Sequence, residues 1–476
     1  MTLTTLSYGY FLAVIFLIYY IIPPKHRWIV LLCGNIYFYY DCGMRALLFL
    51  IGTIVVTYFM GLIIDKYKGK ALVIWSCTLI MVALLCIMRT PFGSIIAPLG
   101  LSFYALQCMG YIIEVYRQTT NAERNIAKYA LFVSYFPHVL QGPFADYNDL
   151  KNKLFAEHLF DYDKCVRGLY RIAWGVMKKL VIADRISYII DGIYESPEGH
   201  YGFTVLYVMT LYAIQLYTDF SGYMDMAIGS SYLFGVDLQE NFNVPYGSKS
   251  MAEFWRRWHM SLGLWFKNYV FYPVLRTKLC TDIRKRMKSK GNKYGMNVFP
   301  SVIALTVLWT LIGLWHGFDW NYLCYDWFCG LIIIASELLK PVYDRINGIS
   351  PRLFSSKFMD SVRIIRTMFL VEFSFLFFRP DTLSGSITLM KNLFVKADIH
   401  NMCEFIYWNL YDEFLIALPL LLLVIVDAMK YKGIDVVKKL HSMNPIVRYT
   451  IYVLGLVLIY VAKGDRGGLG FAYYVF

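Results

Sequence analysis

Thirteen apolar runs follow one another along the chain, near 6–22, 28–40, 46–64, 71–88, 95–115, 126–142, 166–193, 203–235, 297–315, 321–339, 364–378, 413–429 and 446–462. Such a pattern leaves few folds open. In lipid every backbone N–H and C=O must find a partner within its own segment or in neighbouring protein, so runs of this kind span as helices. The predicted architecture is therefore all-α and polytopic. A span needs roughly 20 residues, and several runs fall short of that, which gives about 11 true crossings plus tilted, broken or re-entrant pieces. Composition agrees. Of 476 residues, 58% are hydrophobic and 17% charged, against about 25% charged in soluble domains. The 40 Tyr and 11 Trp suit aromatic belts at the two headgroup regions.

Charge orients the runs. Basic clusters stand at Lys25-His26-Arg27, at Asp65-Lys66-Tyr67-Lys68-Gly69-Lys70, at Arg117, Arg124 and Lys128, at 340–366 and at Lys430 to Lys439. Between 276 and 293 lie Arg276, Lys278, Arg284, Lys285, Arg286, Lys288, Lys290 and Lys293 against the single acid Asp282. Read as cytosolic, these clusters alternate regularly in the first and last thirds and put the N-terminus and residues 463–476 outside. The net charge of +13 is thereby assigned to loops facing anionic lipid and not to nucleic acid, for which no motif is present. The ten cysteines form no CxxC pair. Cys33, Cys77, Cys86, Cys108, Cys324 and Cys329 read as small buried hydrophobes. No Lys or Arg precedes Lys25 and no small-residue cleavage site follows the first run, as expected for an uncleaved first span. No repeat or linker divides the chain, so residues 1–476 read as one membrane domain.

The middle third resists this scheme. Asp219 and Asp225 sit in an apolar context in 215–229, Asn241-Phe-Asn243-Val-Pro-Tyr246 follows, and 253–267 mixes Arg256, Arg257 and Lys267 with Trp255, Trp258 and Trp265. That segment is too polar for lipid and too apolar for a solvated loop. Half-inserted backbone is tolerated where protein or a watery cavity covers it, so these pieces are expected to line a cavity. For Asp219 and Asp225 the favoured role is structural pairing with the arginines of 253–267, with cation binding or proton transport as the alternative.

Two of the eight histidines stand in this landscape: His259, in Glu253-Phe-Trp-Arg-Arg-Trp-His259, and His316, in Gly313-Leu-Trp-His316-Gly-Phe-Asp-Trp320. An ionisable side chain at membrane depth is expensive and reads as functional, and imidazole exchanges protons near neutral pH. For His316 the competing role is a core histidine bonded to a backbone carbonyl. Against it, Trp315, Gly317 and Trp320 predict bulky walls with one gap where backbone or ligand approaches. For His259 the competing role is an interfacial anchor beside Arg256 and Arg257. The chain lacks GxSxG, P-loop, HExxH and zinc-ligand spacings, which removes the common hydrolase, NTPase and metalloprotease chemistries. A transporter or flippase remains as a different class. Many transporters carry internal repeats, and none is visible.

At these residues the chain resembles the membrane-bound O-acyltransferase (MBOAT) superfamily, and most of all the branch of alginate O-acetyltransferase membrane subunits and teichoic-acid D-alanyltransferases. The resemblance rests on Pro98-Leu-Gly-Leu-Ser-Phe-Tyr, Glu114-Val-Tyr-Arg117, Phe132-Val-Ser-Tyr-Phe-Pro137, Gln141-Gly-Pro143, Asp219-Phe-Ser-Gly-Tyr, Asn241 to Tyr246, Glu253 to His259, Leu314-Trp-His316-Gly and Phe377-Phe-Arg379. It implies helices around a central tunnel, with His316 essential and His259 in support. Trp255, Trp258, Trp315, Asp219 and Asn243 become candidates for the tunnel lining. It implies a cytosolic thioester donor, acetyl-CoA or an acyl carrier protein, with no metal and no bound cofactor. It also implies a bacterial plasma-membrane location, a polysaccharide acceptor and an extracellular SGNH/esterase-like transferase as partner. Phe471-Ala-Tyr473-Tyr474-Val-Phe476 resembles the F-x-Y-x-x-F motif of cell-surface acylation systems, in which Tyr473 would carry the acyl group; an aromatic interfacial anchor is the alternative. Within this family D-alanyl transfer to teichoic acid is the second reading.

Overall fold

The computed structural model of the chain describes residues 1–67, 69–88, 100–380, 382–395 and 399–463, with 87–88 and 399–409 described by backbone alone. All regular elements among the described residues are helical. In chain order the principal ones are α1 Leu6–Ile21, α2 Arg27–Asp41, α3 Met44–Lys66, α4 Ala71–Met88, α5 Leu101–Tyr116, α6 Ile126–Ser134, α7 Tyr162–Val176, α8 Asp184–Glu195, α9 Phe203–Tyr232, α10 Met251–Arg257, α11 Met260–Phe266, α12 Lys278–Ser289, α13 Lys293–His316, α14 Trp320–Leu338, α15 Lys357–Phe378, α16 Ile399–Tyr431 and α17 Pro445–Ala462. Among the described residues, α3, α13, Leu410–Tyr431 of α16 and α17 are long and apolar enough to cross a membrane. A fifth crossing arises if α14 and Lys340–Ile349, bent by 60° at their junction, count as one span, and α1 and Ala71–Cys86 are shorter apolar helices.

Two of the other apolar runs are interrupted. The run at 126–142 is helical only to Ser134. The run at 166–193 passes through a π-helical stretch, Met177–Ala183, where wider turns rotate the helix face. The chain packs as two compact units. Met1–Val181 joins Thr218–Glu240 and the stretch from Leu440, while Ile182–Tyr217 joins Asn241–Lys439.

In the first unit, α7 and the second half of α9 cross antiparallel at two glycine pairs. A Cβ on Gly168 would stand 2.6 Å from the Gly229 carbonyl oxygen, and one on Gly175 would stand 2.5 Å from that of Gly222. The seven-residue spacing on both helices puts the pairs two turns apart on one face, so the backbones touch. The acids of the 215–229 stretch lie along this contact, Asp225 between the two glycine pairs and Asp219 just past Gly222. Lys179 donates to Asp219 at 2.6 Å, Lys178 to Asp225 at 2.8 Å and Arg171 to Asp225 at 2.8 Å. Lys178 also reaches the Ser221 hydroxyl at 3.0 Å, and Arg171 holds Glu240. The expected pairing of Asp219 and Asp225 is thus present, but with lysines of the π-helical stretch and Arg171, not with the arginines of 253–267. The π turns aim successive Lys178 and Lys179 at one neighbour, a geometry that helical periodicity does not announce.

The same unit covers the non-helical backbone from Tyr135 to Phe144, every residue of which is buried. Asn35 accepts from Phe136 N–H at 2.9 Å and donates to Ser134 at 3.0 Å. His138 sits with its ring nitrogens at 3.0 Å from the Tyr135 carbonyl and 2.9 Å from Gln107 Oε1. It is a structural histidine with both nitrogens engaged. Of the cysteines expected to be buried, Cys77, Cys108 and Cys329 are; Cys86 and Cys324 are half-buried, and Cys33 is exposed, because it falls on the outer face of α2.

Candidate active site

Both candidate histidines belong to the second unit. His316 is the last residue of α13, and a three-residue connection leads into α14. A Cβ at Gly317 would stand 2.3 Å from the Tyr322 ring, so only glycine lets the chain turn beneath that tyrosine. Gly313 lets α14 close in further down, where a Cβ would lie 3.1 Å from Leu323 and 3.4 Å from the Asp326 side chain. This hairpin sets His316 against Asp326: Nδ1 lies 2.7 Å from Oδ2, with both side chains buried. The ring is walled by Trp315, Tyr325 and Phe378 at centroid distances of 5.1, 6.0 and 5.5 Å. Trp320, expected as a wall, is 63% exposed. As first residue of α14 it points outward, and Tyr325, more than a turn later, takes the place against the ring.

His259 sits between the short helices α10 and α11 with φ 45° and ψ 52°, the left-handed region. For a side chain of this kind that conformation costs about 1–3 kcal/mol and persists only where surroundings over-determine it. Asn241 does so. Its carbonyl oxygen accepts from Met260 N–H at 3.0 Å, and its Oδ1 accepts from the Ser261 N–H and hydroxyl, each at 2.9 Å. The same Oδ1 lies 3.2 Å from His259 Nδ1. A backbone N–H can only donate, so Oδ1 is fixed as an acceptor and the neutral imidazole carries its proton on Nδ1. The lone pair is then on Nε2.

The two rings converge on Trp315, whose ring lies 6.4 Å from His259 and 5.1 Å from His316. Trp255 packs on Tyr325 at 6.2 Å and so joins the wall behind His316. Trp258, fully buried, stacks on Phe254 at 5.4 Å and meets Tyr217, Phe242 and Phe375. Asn243 is exposed and engages Arg257 through its backbone N–H; the buried amide beside His259 is Asn241, two positions earlier. Asp219 belongs to the ion pairs of the first unit. Tyr473 lies outside the described residues. Arg257 is paired with Glu253 at 2.7 Å, so its charge is spent on a neighbour in its own helix. The competing core role for His316 is a bond to a backbone carbonyl; the bond its Nδ1 makes is to the Asp326 carboxyl. Asp326 and Asn241 escaped sequence reasoning. The one signal for Asp326 was an acid inside an apolar helix, ten residues after His316. Among the described residues no cluster of His, Cys, Asp and Glu is arranged to hold a metal ion.

Two buried imidazoles in one aromatic enclosure form a candidate acid–base site in a chain with several helices long and apolar enough to cross a membrane. Residues 121–353, which contain both, match the model of the membrane-bound O-acyltransferase family. A probable alginate O-acetylase from Azotobacter vinelandii is 32% identical over 348 residues, which is 68% of this chain and 66% of that protein. A second, from Pseudomonas aeruginosa, is 30% identical over 409 residues, 81% of this chain and 73% of that protein. The teichoic acid D-alanyltransferase of Bacillus subtilis is 28% identical over 291 residues, 60% of this chain and 70% of that protein. The chain belongs to the membrane-bound O-acyltransferase family and is an O-acyltransferase.

Proposed function

We propose that this enzyme moves an acetyl group from a cytosolic thioester through the membrane for O-acetylation of an extracellular or cell-wall polysaccharide. The observation that carries the reading is the pair of buried imidazoles flanking Trp315 in a chain so similar to proteins named as alginate O-acetylases. The nucleophile is a hydroxyl, and the proposed first acceptor is the phenol of Tyr473. A phenol with a pKa of about 10 needs a base at neutral pH. His316 Nε2 takes the phenol proton as the oxygen attacks the thioester carbonyl. Collapse of the tetrahedral intermediate breaks the C–S bond, and the departing thiolate takes the proton from Nε2. An aryl ester and a free thiol result. The ester is then handed to an extracellular SGNH/esterase-like transferase.

His259 is assigned the role of an acceptor that orients the hydroxyl, because its Nδ1–H is turned to Asn241. The oxyanion then falls to an indole N–H of the tryptophans gathered there.

Charge also gives a direction. Lys288 lies in the last turn of α12, Lys290 in the turn after it and Lys293 starts α13, and among the described residues none of the eight cations of 276–293 is ion-paired. With that turn in the cytosol, α13 carries His316 about 35 Å away at 1.5 Å per residue, towards the outer face where Tyr473 would meet it. At that separation the cations of α12 are assigned to lipid headgroups and not to the donor. Neutralising Lys288 and Lys290 should leave the donor KM unchanged, and a raised KM would assign them to donor binding instead. Intact-mass analysis of the C-terminal peptide from enzyme incubated with donor tests the main reading. An acetyl adduct on Tyr473 that disappears in His316→Asn and Tyr473→Phe is expected. A D-alanyl adduct would support the second reading, and full turnover by Tyr473→Phe would refute the tyrosine carrier.

A further inference from the structure

The side chain of Asp326 is buried at 0% exposure. Its Oδ2 meets His316 Nδ1 at 2.7 Å, while its Oδ1 is buried with no hydrogen-bond partner. A buried carboxyl with a single partner is costly, and such groups persist where a function holds them. A helix-to-helix pin has no need of it, since α13 and α14 already close through Gly313 on Leu323 and through Trp309 on Gly330, where a Cβ would lie 2.6 Å from the indole. Among the described residues, the charged or titratable groups seen against His316 include Asp326 and Tyr325 on α14, with His259 beyond Trp315, and α15 contributes the apolar ring of Phe378.

Resting on the acyl-transfer reading above, we propose that Asp326 is a positioning residue that keeps the proton of neutral His316 on Nδ1, so that Nε2 alone faces the reacting hydroxyl. During transfer Nε2 gains the hydroxyl proton and later gives it to the leaving thiolate. The Nδ1–H stays on Asp326 throughout, and the carboxylate opposes the positive charge that the ring acquires midway. The arrangement follows the logic of acid–imidazole–nucleophile sites, in which the acid sets tautomer and orientation without itself being protonated.

The test compares Asp326→Asn and Asp326→Leu with the parent and with His316→Asn, in the purified full-length enzyme with acetyl-CoA as donor. Turnover should fall roughly 10²–10⁴-fold in both Asp326 variants, with KM for the donor within about twofold of the parent. The thermal midpoint should hold or rise, because a costly buried group has been removed. Turnover within about twofold of the parent, or a loss that tracks a lowered midpoint, would overturn the inference. His316→Asn separates the two levels: if it retains turnover the acyl-transfer reading of the site fails, whereas if it is inactive beside an active Asp326→Asn, only the role of Asp326 fails.

Discussion

Two groups of buried acids and bases occupy this molecule, and they are built on opposite plans. In the first unit Lys178, Lys179 and Arg171 face Asp219 and Asp225, base against acid, with Ser221 taking a further donor and the exposed Glu240 closing on Arg171. In the second unit His316 and Asp326 meet through one hydrogen bond, and the outer oxygen of the acid is left without a partner. The first group is saturated and has nothing to offer a substrate. The second holds an acid with one oxygen unpartnered, is walled by aromatics, and includes the imidazole proposed above as the base. The difference separates scaffold from site more sharply than burial or residue type, because Lys178, Lys179, Asp219 and Asp225 are buried as His316 and Asp326 are, and all are ionisable.

The contrast breaks most visibly at the saturated group. Lys179→Met strands Asp219 in the interior and should cost about 3–5 kcal/mol, whereas pairing it with Asp219→Leu should recover most of that. Denaturation of the two variants in the same detergent measures the gap; a double variant as unstable as the single would mean the pair is not the source. Next is Asn241→Ala, which leaves the Ser261 N–H without its acceptor and removes the hold on the left-handed His259. About 1–3 kcal/mol and a drop in turnover are expected, and unchanged turnover would detach Asn241 from the site.

The acid Glu123 provides a third probe. It lies in the loop before α6, among Lys151 at 2.7 Å, the Tyr147 hydroxyl at 2.6 Å and the Asn125 N–H at 3.0 Å. Burial acts against its ionised form, yet these partners outweigh it and hold its pKa at about 2, below the ordinary 4.5. A lowered carboxyl pKa stabilises the fold above the unfolded value, so this contribution should fade as pH falls from 4.5 towards 2. Glu123→Gln should flatten the acid limb of a stability profile in that window, and an unaltered limb would contradict it. Smallest of all, Asn243→Ala should change stability by less than about 0.5 kcal/mol and leave turnover intact.

Much of this was legible in the sequence. Apolar runs foretold helices, and the Trp-His-Gly and Trp-His-Met contexts singled out His316 and His259. What stayed hidden depends on which residues the fold brings face to face. The partner of Asp219 was set by a π-helical stretch whose turn count is not written in hydrophobic period. Asn243 stood among the candidates for the tunnel lining, but the backbone turn at Val244, with φ 44°, leaves it outside while Asn241 goes in. Asp326 was visible only as an acid in an apolar helix, and the hairpin that carries it to His316 depends on the close approach that Gly313 and Gly317 permit.

The most direct measurement sets the two groups side by side: turnover per folded molecule and thermal midpoint for Asp326→Asn and Asp225→Asn. Asp326→Asn should keep its midpoint and lose turnover, while Asp225→Asn should lose midpoint and keep the turnover of whatever remains folded. The opposite pattern, with Asp326 carrying stability and Asp225 carrying turnover, would contradict the assignment of site and scaffold.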